Sequence, residues 1–359
     1  MTMELNNRLL LKGNEAAVYG ALLAGCDSYF GYPITPASEV AQTAALLFPK
    51  LNRVFIQAES EIGAINMVIG GSASGRRVMT ASSGLGISLK QEGMSYLAAY
   101  ELPAVIVDVT RGGPGLGNIG PEQSDYFQLV KGGGHGSYKC LVFTPNCAQE
   151  MCDMTMEAFR MAEKYRMPAY VMADGVIGQM MESVQLPDPK PYDYDPDWKM
   201  GKIVDGKANY ITSIYMEYDD LEALNHKLQN KYREIERTEQ RAEEFMVDDA
   251  ELVIAAYGIC SRIAQGAVTE LRAQGLKVGL IRPQMVYPFP TDNFKKVVEN
   301  GKAKVVVSLE MSAGQMIEDV KLALDCKLPV ELCNRMGGNV PSCAEVCEAI
   351  KRIYKEYVK

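Results

Sequence analysis

Ala104-Val105-Ile106-Val107-Asp108-Val109, followed by Thr110-Arg111-Gly112-Gly113-Pro114, is the stretch that decides the fold. A strand with one wet face alternates apolar and polar residues, whereas an almost unbroken apolar run reads as a strand covered on both faces. Strands of that kind lie in parallel sheets between layers of helix, joined by βαβ crossovers. The run ends at a glycine-rich loop, and in open α/β sheets it is the carboxyl ends of the strands that build ligand sites.

The same alternation extends outward from this strand. Short apolar segments at 28–32, 53–57, 77–81, 140–143 and 169–173 predict further strands. Helices are expected at 61–72, 85–99 and 148–165, and another from Asn14, as its cap, to Ala24 before Gly25. From Leu186 to Trp198 the chain is proline-rich and reads as an extended linker. Asp219 to Met246 is highly charged, with Leu221, Leu224, Leu228, Tyr232 and Ile235 spaced as one helical face, and His226 reads as a surface residue. A second alternating unit has strands at 252–257, 278–282, 304–309 and 329–333 and helices at 261–273, 291–300, 315–324 and 343–357. The fold class is therefore α/β: a doubly wound, mostly parallel sheet over 1–185, a linker and long amphipathic helix over 186–249, and a smaller α/β domain over 250–359.

Composition narrows the function classes. A net charge of −8 over 359 residues argues against non-specific nucleic-acid binding. No apolar run approaches the roughly 18–20 residues that span a membrane. Met1 to Asn7 lacks a signal-peptide core, so a cytoplasmic protein is expected. The nine cysteines contain no Cys-x-x-Cys pair, the spacing that zinc ribbons and ferredoxin-type clusters use. Cys343 and Cys347 lie four apart on one helical face without a partner pair nearby, and most of the nine read as small buried hydrophobes. No metal site is expected on this chain, and a redox centre would lie on another.

Two strand-to-helix junctions carry chemistry. In Gly31-Tyr32-Pro33-Ile34-Thr35-Pro36, Thr35 is placed to cap a helix with Pro36 at its first position. In Ser60-Glu61-Ile62-Gly63-Ala64, Ser60 is the cap and Glu61 lies in the first turn. Glu61 serves either as a charge complementing the helix dipole or as a working carboxylate, and the residues alone leave both open. Arg111 at a strand end is either a carboxylate-binding guanidinium or a solvated loop residue. Gly115-Leu116-Gly117-Asn118-Ile119-Gly120 forms a loose dinucleotide fingerprint, but after a long loop rather than a tight turn. Ser82-Ser83-Gly84 either touches a cofactor or only packs tightly. Lys131-Gly132-Gly133-Gly134-His135-Gly136 reads as a structural or gating loop, and a proton-transfer role for His135 would need a partner within reach. Asp174-Gly175 lacks the surroundings of a diphosphate–magnesium motif, and neither a Walker A sequence nor a Gly-x-Ser-x-Gly elbow occurs.

Together, Tyr32-Pro33-Ile34-Thr35-Pro36, Ser60-Glu61-Ile62-Gly63-Ala64, Arg111-Gly112-Gly113-Pro114 and Glu122-Gln123-Ser124-Asp125 resemble the α subunit of 2-oxoacid:ferredoxin oxidoreductases. The resemblance runs through Tyr257-Gly258-Ile259-Cys260-Ser261-Arg262, and Gly133-Gly134-His135-Gly136 resembles the branched-chain, 2-oxoisovalerate group. It implies oxidative decarboxylation of a 2-oxoacid with coenzyme A to acyl-CoA, carbon dioxide and reduced ferredoxin. It further implies a thiamine diphosphate pyrimidine-binding domain and a transketolase C-terminal-like domain. A β subunit would share the cofactor and hold magnesium and an iron–sulfur cluster, alongside a γ subunit. By position Glu61 matches the glutamate that shares a proton with the aminopyrimidine ring, Thr35 the substrate-contacting threonine and Arg111 a carboxylate-binding arginine. Ser83 and Gly84 would contact the cofactor. A 2-oxoglutarate- or pyruvate-specific member, a non-redox thiamine decarboxylase subunit and a non-catalytic partner protein are the alternatives.

Overall fold

The strand Ala104–Thr110 is buried along its whole length and sits at the centre of a seven-stranded sheet. The computed structural model describes residues 8–189 and 195–358. Across the sheet the order is Met285–Tyr287, Leu141–Phe143, Pro168–Asp174, Ala104–Thr110, Val78–Ser82, Ser28–Gly31 and Val54–Gln57. All neighbours are parallel except the first pair, and Val107 faces Ala81 on one side and Val171 on the other. Val105, Ile106, Val107 and Val109 are all inaccessible. Each such side chain contributes about 1.5–3 kcal/mol through burial.

Helices Gly13–Leu23, Glu61–Ala73, Leu85–Ala99 and Ala148–Tyr165 cover the sheet close to where the periodicity places them. Two boundaries differ. The first helix is capped at Lys12, and Asn14 is buried in its first turn. Its side-chain amide donates to the Pro36 carbonyl (2.7 Å) and to Glu39 Oε2 (2.9 Å). Thr35 and Pro36 do not open the next helix, which runs Ser38–Leu47 with Ala37 at the cap position. The Pro36 carbonyl also accepts from Gln179 Nε2 at 2.9 Å, so tertiary hydrogen bonds fix this segment as a turn.

The second sheet has the order Ala242–Phe245, Val278–Pro283, Leu252–Ala255, Val305–Glu310 and Val330–Asn334, parallel except at the first pair. Its strands and the helices Gly258–Ala273 and Cys343–Tyr357 enclose a separate apolar core around Ile254, Val307, Leu271 and Ile350. The long helix is shorter than expected, spanning Tyr218–Thr238. The expected tail at 242–245 is instead the edge strand of this sheet, with exposed Glu243 and Glu244 between half-buried Ala242 and Phe245, and charge there blunts edge pairing. Leu228, Tyr232 and Ile235 are buried as the spacing requires, and His226 is exposed.

Three pairings were not foreseen, one of them a short hairpin of Ile203–Val204 with Lys207–Ala208. Arg8–Lys12 runs antiparallel to Met181–Gln185. Met285–Tyr287, a three-residue strand too short to carry a period, leaves the second sheet and joins the edge of the first. Buried Arg282, just before it, pairs both nitrogens with Glu150 at 2.7 Å. The heptapeptide 1–7 and part of the proline-rich linker, 190–194, lie outside the described residues. Among the described residues no helix is long and apolar enough to cross a membrane.

Candidate active site

The site grows from the carboxyl ends of the central strands. Ser60 caps helix Glu61–Ala73 by accepting from the Gly63 N–H at 3.0 Å, which sets Glu61 at the first helical position. The Glu61 side chain turns inward and is only 6% exposed. It enters space left by Gly86, where a methyl group would stand 2.9 Å from Glu61 Oε1 and 2.3 Å from Ser82 Oγ. A carboxylate serving only the helix dipole has no need of a buried seat, because that interaction is available at the surface.

Behind Glu61 lies a buried polar layer that sequence reasoning missed. Lys90 is fully buried on helix Leu85–Ala99, and its ammonium group has no hydrogen-bond partner among the described residues. Burial drives its pKa down to about 8, against the opposing pull of Glu61 and then Asp108. Asp108, the single charged residue of the deciding strand, is inaccessible and receives no N–H donor among the described residues. Burial, and then the charge of nearby Asp125, push its carboxyl well above the usual range. The interruption at Asp108 was the available signal for this layer, whereas Lys90 sits inside an amphipathic-looking helix and gave none.

Arg111 and Thr35 meet, but not as two parallel carboxylate binders. Arg111 Nη1 donates to the Thr35 carbonyl at 2.9 Å and Nη2 to the Leu116 carbonyl at 3.2 Å. The guanidinium thus ties the exposed Thr35 turn to the glycine loop and keeps its other N–H groups available. Gly84 lies alongside, with φ of +46°, a backbone region that excludes ordinary side chains. Its N–H donates to Asp125 Oδ2 at 3.1 Å. Arg111, Gly84, Ser88, Glu122, Gln315 and Met336 line part of one cleft of about 620 Å³ between the two sheets. A separate cleft of about 410 Å³ beside Arg77 and Asp153 holds none of the sequence-predicted site residues.

The glycine loop is ordered by its own bonds. Gly112 N–H donates to the Gly120 carbonyl, Asn118 N–H to the Gly112 carbonyl, and Arg111 bridges Pro121. Gly115–Gly120 is therefore an excursion that closes on itself; it opens no helix, and the dinucleotide fingerprint fails on that geometry. The next four residues fasten the site to the second sheet. Glu122 accepts from Gly113 N–H (2.8 Å) and Gly337 N–H (3.0 Å). Gln123 exchanges backbone and side-chain bonds with Tyr257 and Met311. The Ser124 carbonyl accepts from Gln315, and Asp125 holds Gly84.

Two other candidates resolve as structural. Asp174 Oδ1 accepts from Val176 and Ile177 N–H and Oδ2 from Ile259 N–H at 2.7 Å, so one carboxylate caps helices from both sheets. His135 is exposed, while the glycines before it press on Gln91, where side chains at 133 and 134 would clash. Loop packing accounts for that segment.

The hydroxyls of Ser82 and Ser83 are buried without a hydrogen-bond partner among the described residues, and that of Ser82 borders the Gly86 hollow that admits Glu61.

A family model described as pyruvate flavodoxin/ferredoxin oxidoreductase, thiamine diphosphate-binding, matches residues 19–244. A second, pyruvate:ferredoxin oxidoreductase core domain II, matches 250–346. The chain is 54% identical to a ketoisovalerate oxidoreductase subunit of Methanothermobacter marburgensis, covering 97% of this chain and 98% of that one. It is 38% identical to a 2-oxoglutarate synthase subunit of Methanocaldococcus jannaschii, over 95% and 98% of the two chains. Among solved structures, 2-oxoglutarate:ferredoxin oxidoreductase from Magnetococcus marinus superposes with a TM-score of 0.86 at 26% identity. That match covers 98% of this chain and 66% of the longer one. A split-gene transketolase (TM-score 0.58, 13% identity) shares the fold.

Proposed function

The chain belongs to the 2-oxoacid:ferredoxin oxidoreductase subunit family, and from that premise we propose that it is the α subunit of a cytoplasmic enzyme that oxidatively decarboxylates 2-oxoisovalerate with coenzyme A. The observation that carries the reading is the buried carboxylate of Glu61 beside the unpaired Ser82 hydroxyl, within the span of the thiamine diphosphate-binding model. Thiamine diphosphate, when bound, supplies the electron sink that decarboxylation needs. Glu61 would hold and exchange a proton with the pyrimidine ring, Ser83 and Gly84 would border the ring, and Lys90 lies behind them as the buried cation of the site. Arg111 has N–H groups to spare after holding the Thr35 turn, and these face the substrate carboxylate across the cleft.

The commitment of Asp174 to two helix caps supports a division of labour in which a β subunit holds the diphosphate, magnesium and an iron–sulfur cluster. A γ subunit and ferredoxin complete the path of the electrons. The branched-chain substrate is favoured by the 54% identity to a ketoisovalerate enzyme against 38% to a 2-oxoglutarate one.

The test is purification with native partners, then a 2-oxoacid panel with a viologen dye as acceptor. Turnover led by 2-oxoisovalerate is expected, and a complex preferring 2-oxoglutarate or pyruvate overturns the substrate assignment. In the same complex Glu61→Gln should slow hydrogen–deuterium exchange at the thiazolium carbon by about 100- to 10,000-fold at equal cofactor occupancy. Exchange at the wild-type rate would remove Glu61 from the chemistry.

A further inference from the structure

The sequence places Cys343 and Cys347 on one face of the last helix and gives them no third partner; the fold supplies one. Helix Gly258–Ala273 packs against helix Cys343–Tyr357, and Glu270 near its end faces the two thiols. One carboxylate oxygen and the two sulfurs all lie within 4.8 Å of one another, the one cluster of three metal-capable ligands among the described residues. Cys347 is 2% exposed, Cys343 half-buried and Glu270 exposed, so the three form a funnel that opens to solvent on the carboxylate side. Gly266, one turn before Glu270, leaves room beneath the mouth: a methyl group there would stand 3.6 Å from Cys343 Sγ.

We propose that Cys343, Cys347 and Glu270 form a binding site for a thiophilic divalent cation, zinc or cadmium in chemical class, which clamps the last helix to Gly258–Ala273. The donor set suits such an ion, because thiolate selects soft or borderline metals and a carboxylate completes a tetrahedral set that leaves one position for water. Tetrahedral zinc with sulfur at about 2.3 Å needs donors roughly 3.8 Å apart. The observed separations, all within 4.8 Å, exceed that by about 1 Å at most. Without an ion the Cys347 thiol keeps its proton and shares it with Cys343 and Glu270. Burial, then the Cys343 sulfur and the Glu270 carboxylate, push the Cys347 thiol up to about 12. A dication reverses that balance, since each ligand's negative charge becomes an attraction. Lys351, paired with Glu348 at 3.1 Å, is the nearby cation that the metal must outcompete for Glu270. The site belongs to the helices of the second sheet and contains none of the residues assigned to the cofactor or substrate, so its failure would leave that reading untouched.

The experiment is a titration of the reduced, metal-free full-length chain with cadmium, followed by the ultraviolet charge-transfer band of cadmium thiolates, with zinc as competitor. One tight equivalent is expected, retained in Cys326→Ser, which removes an exposed cysteine outside the cluster, and abolished in Cys343→Ser and Cys347→Ser. Glu270→Gln should weaken it by at least the roughly 10–100-fold that loss of a metal site's supporting group costs. Because serine variants of a buried thiol can misfold, the wild-type chain provides a second readout. Zinc should protect the half-buried Cys343 from alkylation, mapped by mass spectrometry, while Cys326 reacts at an unchanged rate. A tight equivalent that survives loss of either helix cysteine, or alkylation of Cys343 that zinc does not slow, overturns the proposal.

Discussion

Replacing Lys90 with methionine should make the protein more stable and the site less competent. The ammonium group is fully buried without a hydrogen-bond partner, and its pKa falls from 10.5 to about 8, chiefly through burial. That fall corresponds to about 3 kcal/mol of penalty on the charged form in the folded state. Below pH 8 both folded and unfolded chains carry the proton, and the fold bears the whole penalty. Between about pH 8 and 10.5 the folded chain releases the proton while the unfolded chain keeps it, so stability climbs with pH by up to the same amount. Methionine matches the length of the lysine stem and carries no proton. Lys90→Met should therefore gain up to about 3 kcal/mol at neutral pH, a gain that fades as pH approaches 10.5. Removing one member of a buried pair ordinarily strands its partner's charge. Here the pull of Glu61 and then Asp108 is already contained in the net fall of the Lys90 pKa, so it is not subtracted a second time. The assay is denaturant unfolding of wild type and variant at neutral pH and near pH 10, taken as a difference so that tyrosines and cysteines titrating in both proteins cancel. A variant destabilised at neutral pH, or a difference that does not depend on pH, would refute the reasoning. In the assembled enzyme the same change should slow proton exchange through Glu61, a trade of stability for activity typical of strained sites.

Arg111→Met should raise KM for the 2-oxoacid by about tenfold to a hundredfold, the worth of a charged hydrogen bond, with cofactor affinity unchanged. An unchanged KM in steady-state assays would leave Arg111 only its bonds to the Thr35 and Leu116 carbonyls. For Glu39, burial alone would raise the carboxyl, but bonds from Lys12, Gln179 and Asn14 overcome it and hold the pKa down to about 2. Stability from this group is fully present above pH 4.5 and is lost as pH falls towards 2, so Glu39→Gln should flatten the acid limb of the stability curve by about 3 kcal/mol. Unfolding titrations across that range would show the change, and an acid limb identical to wild type would contradict it.

The fold was legible where one local signal dominated. An apolar run such as 104–109 can satisfy its side chains only between two helical layers, and the caps at Ser60 and before Cys343 are chosen by hydroxyls within three residues of the N–H groups they bind. Legibility ended where a distant group made the choice. Thr35 and Pro36 have the chemistry of a helix start, yet Asn14 and Gln179 capture the Pro36 carbonyl from 22 and 143 residues away. Met285–Tyr287 has no period of its own and becomes a strand because Leu141–Phe143 offers a free edge.

The same division explains the site. Glu61 could be singled out because its helix turn is local, but whether it serves the dipole or the chemistry depends on what surrounds it. That surrounding layer comes from three separate elements: Gly86 and Lys90 on one helix, Asp108 on the central strand, and Asp125 beyond the glycine loop. Glu122-Gln123-Ser124-Asp125 shows why such a motif looks featureless in sequence and decisive in three dimensions. Glu122 joins Gly113 of the glycine loop to Gly337, Gln123 bonds to Tyr257 and Met311 just beyond two strands of the second sheet, the Ser124 carbonyl to Gln315, and Asp125 holds the turn at Gly84. No single one of these contacts has a sequence signature, because each partner lies on another element. Their sum sets how far the Arg111 loop can move against the second sheet, and hence the shape of the cleft a 2-oxoacid would enter.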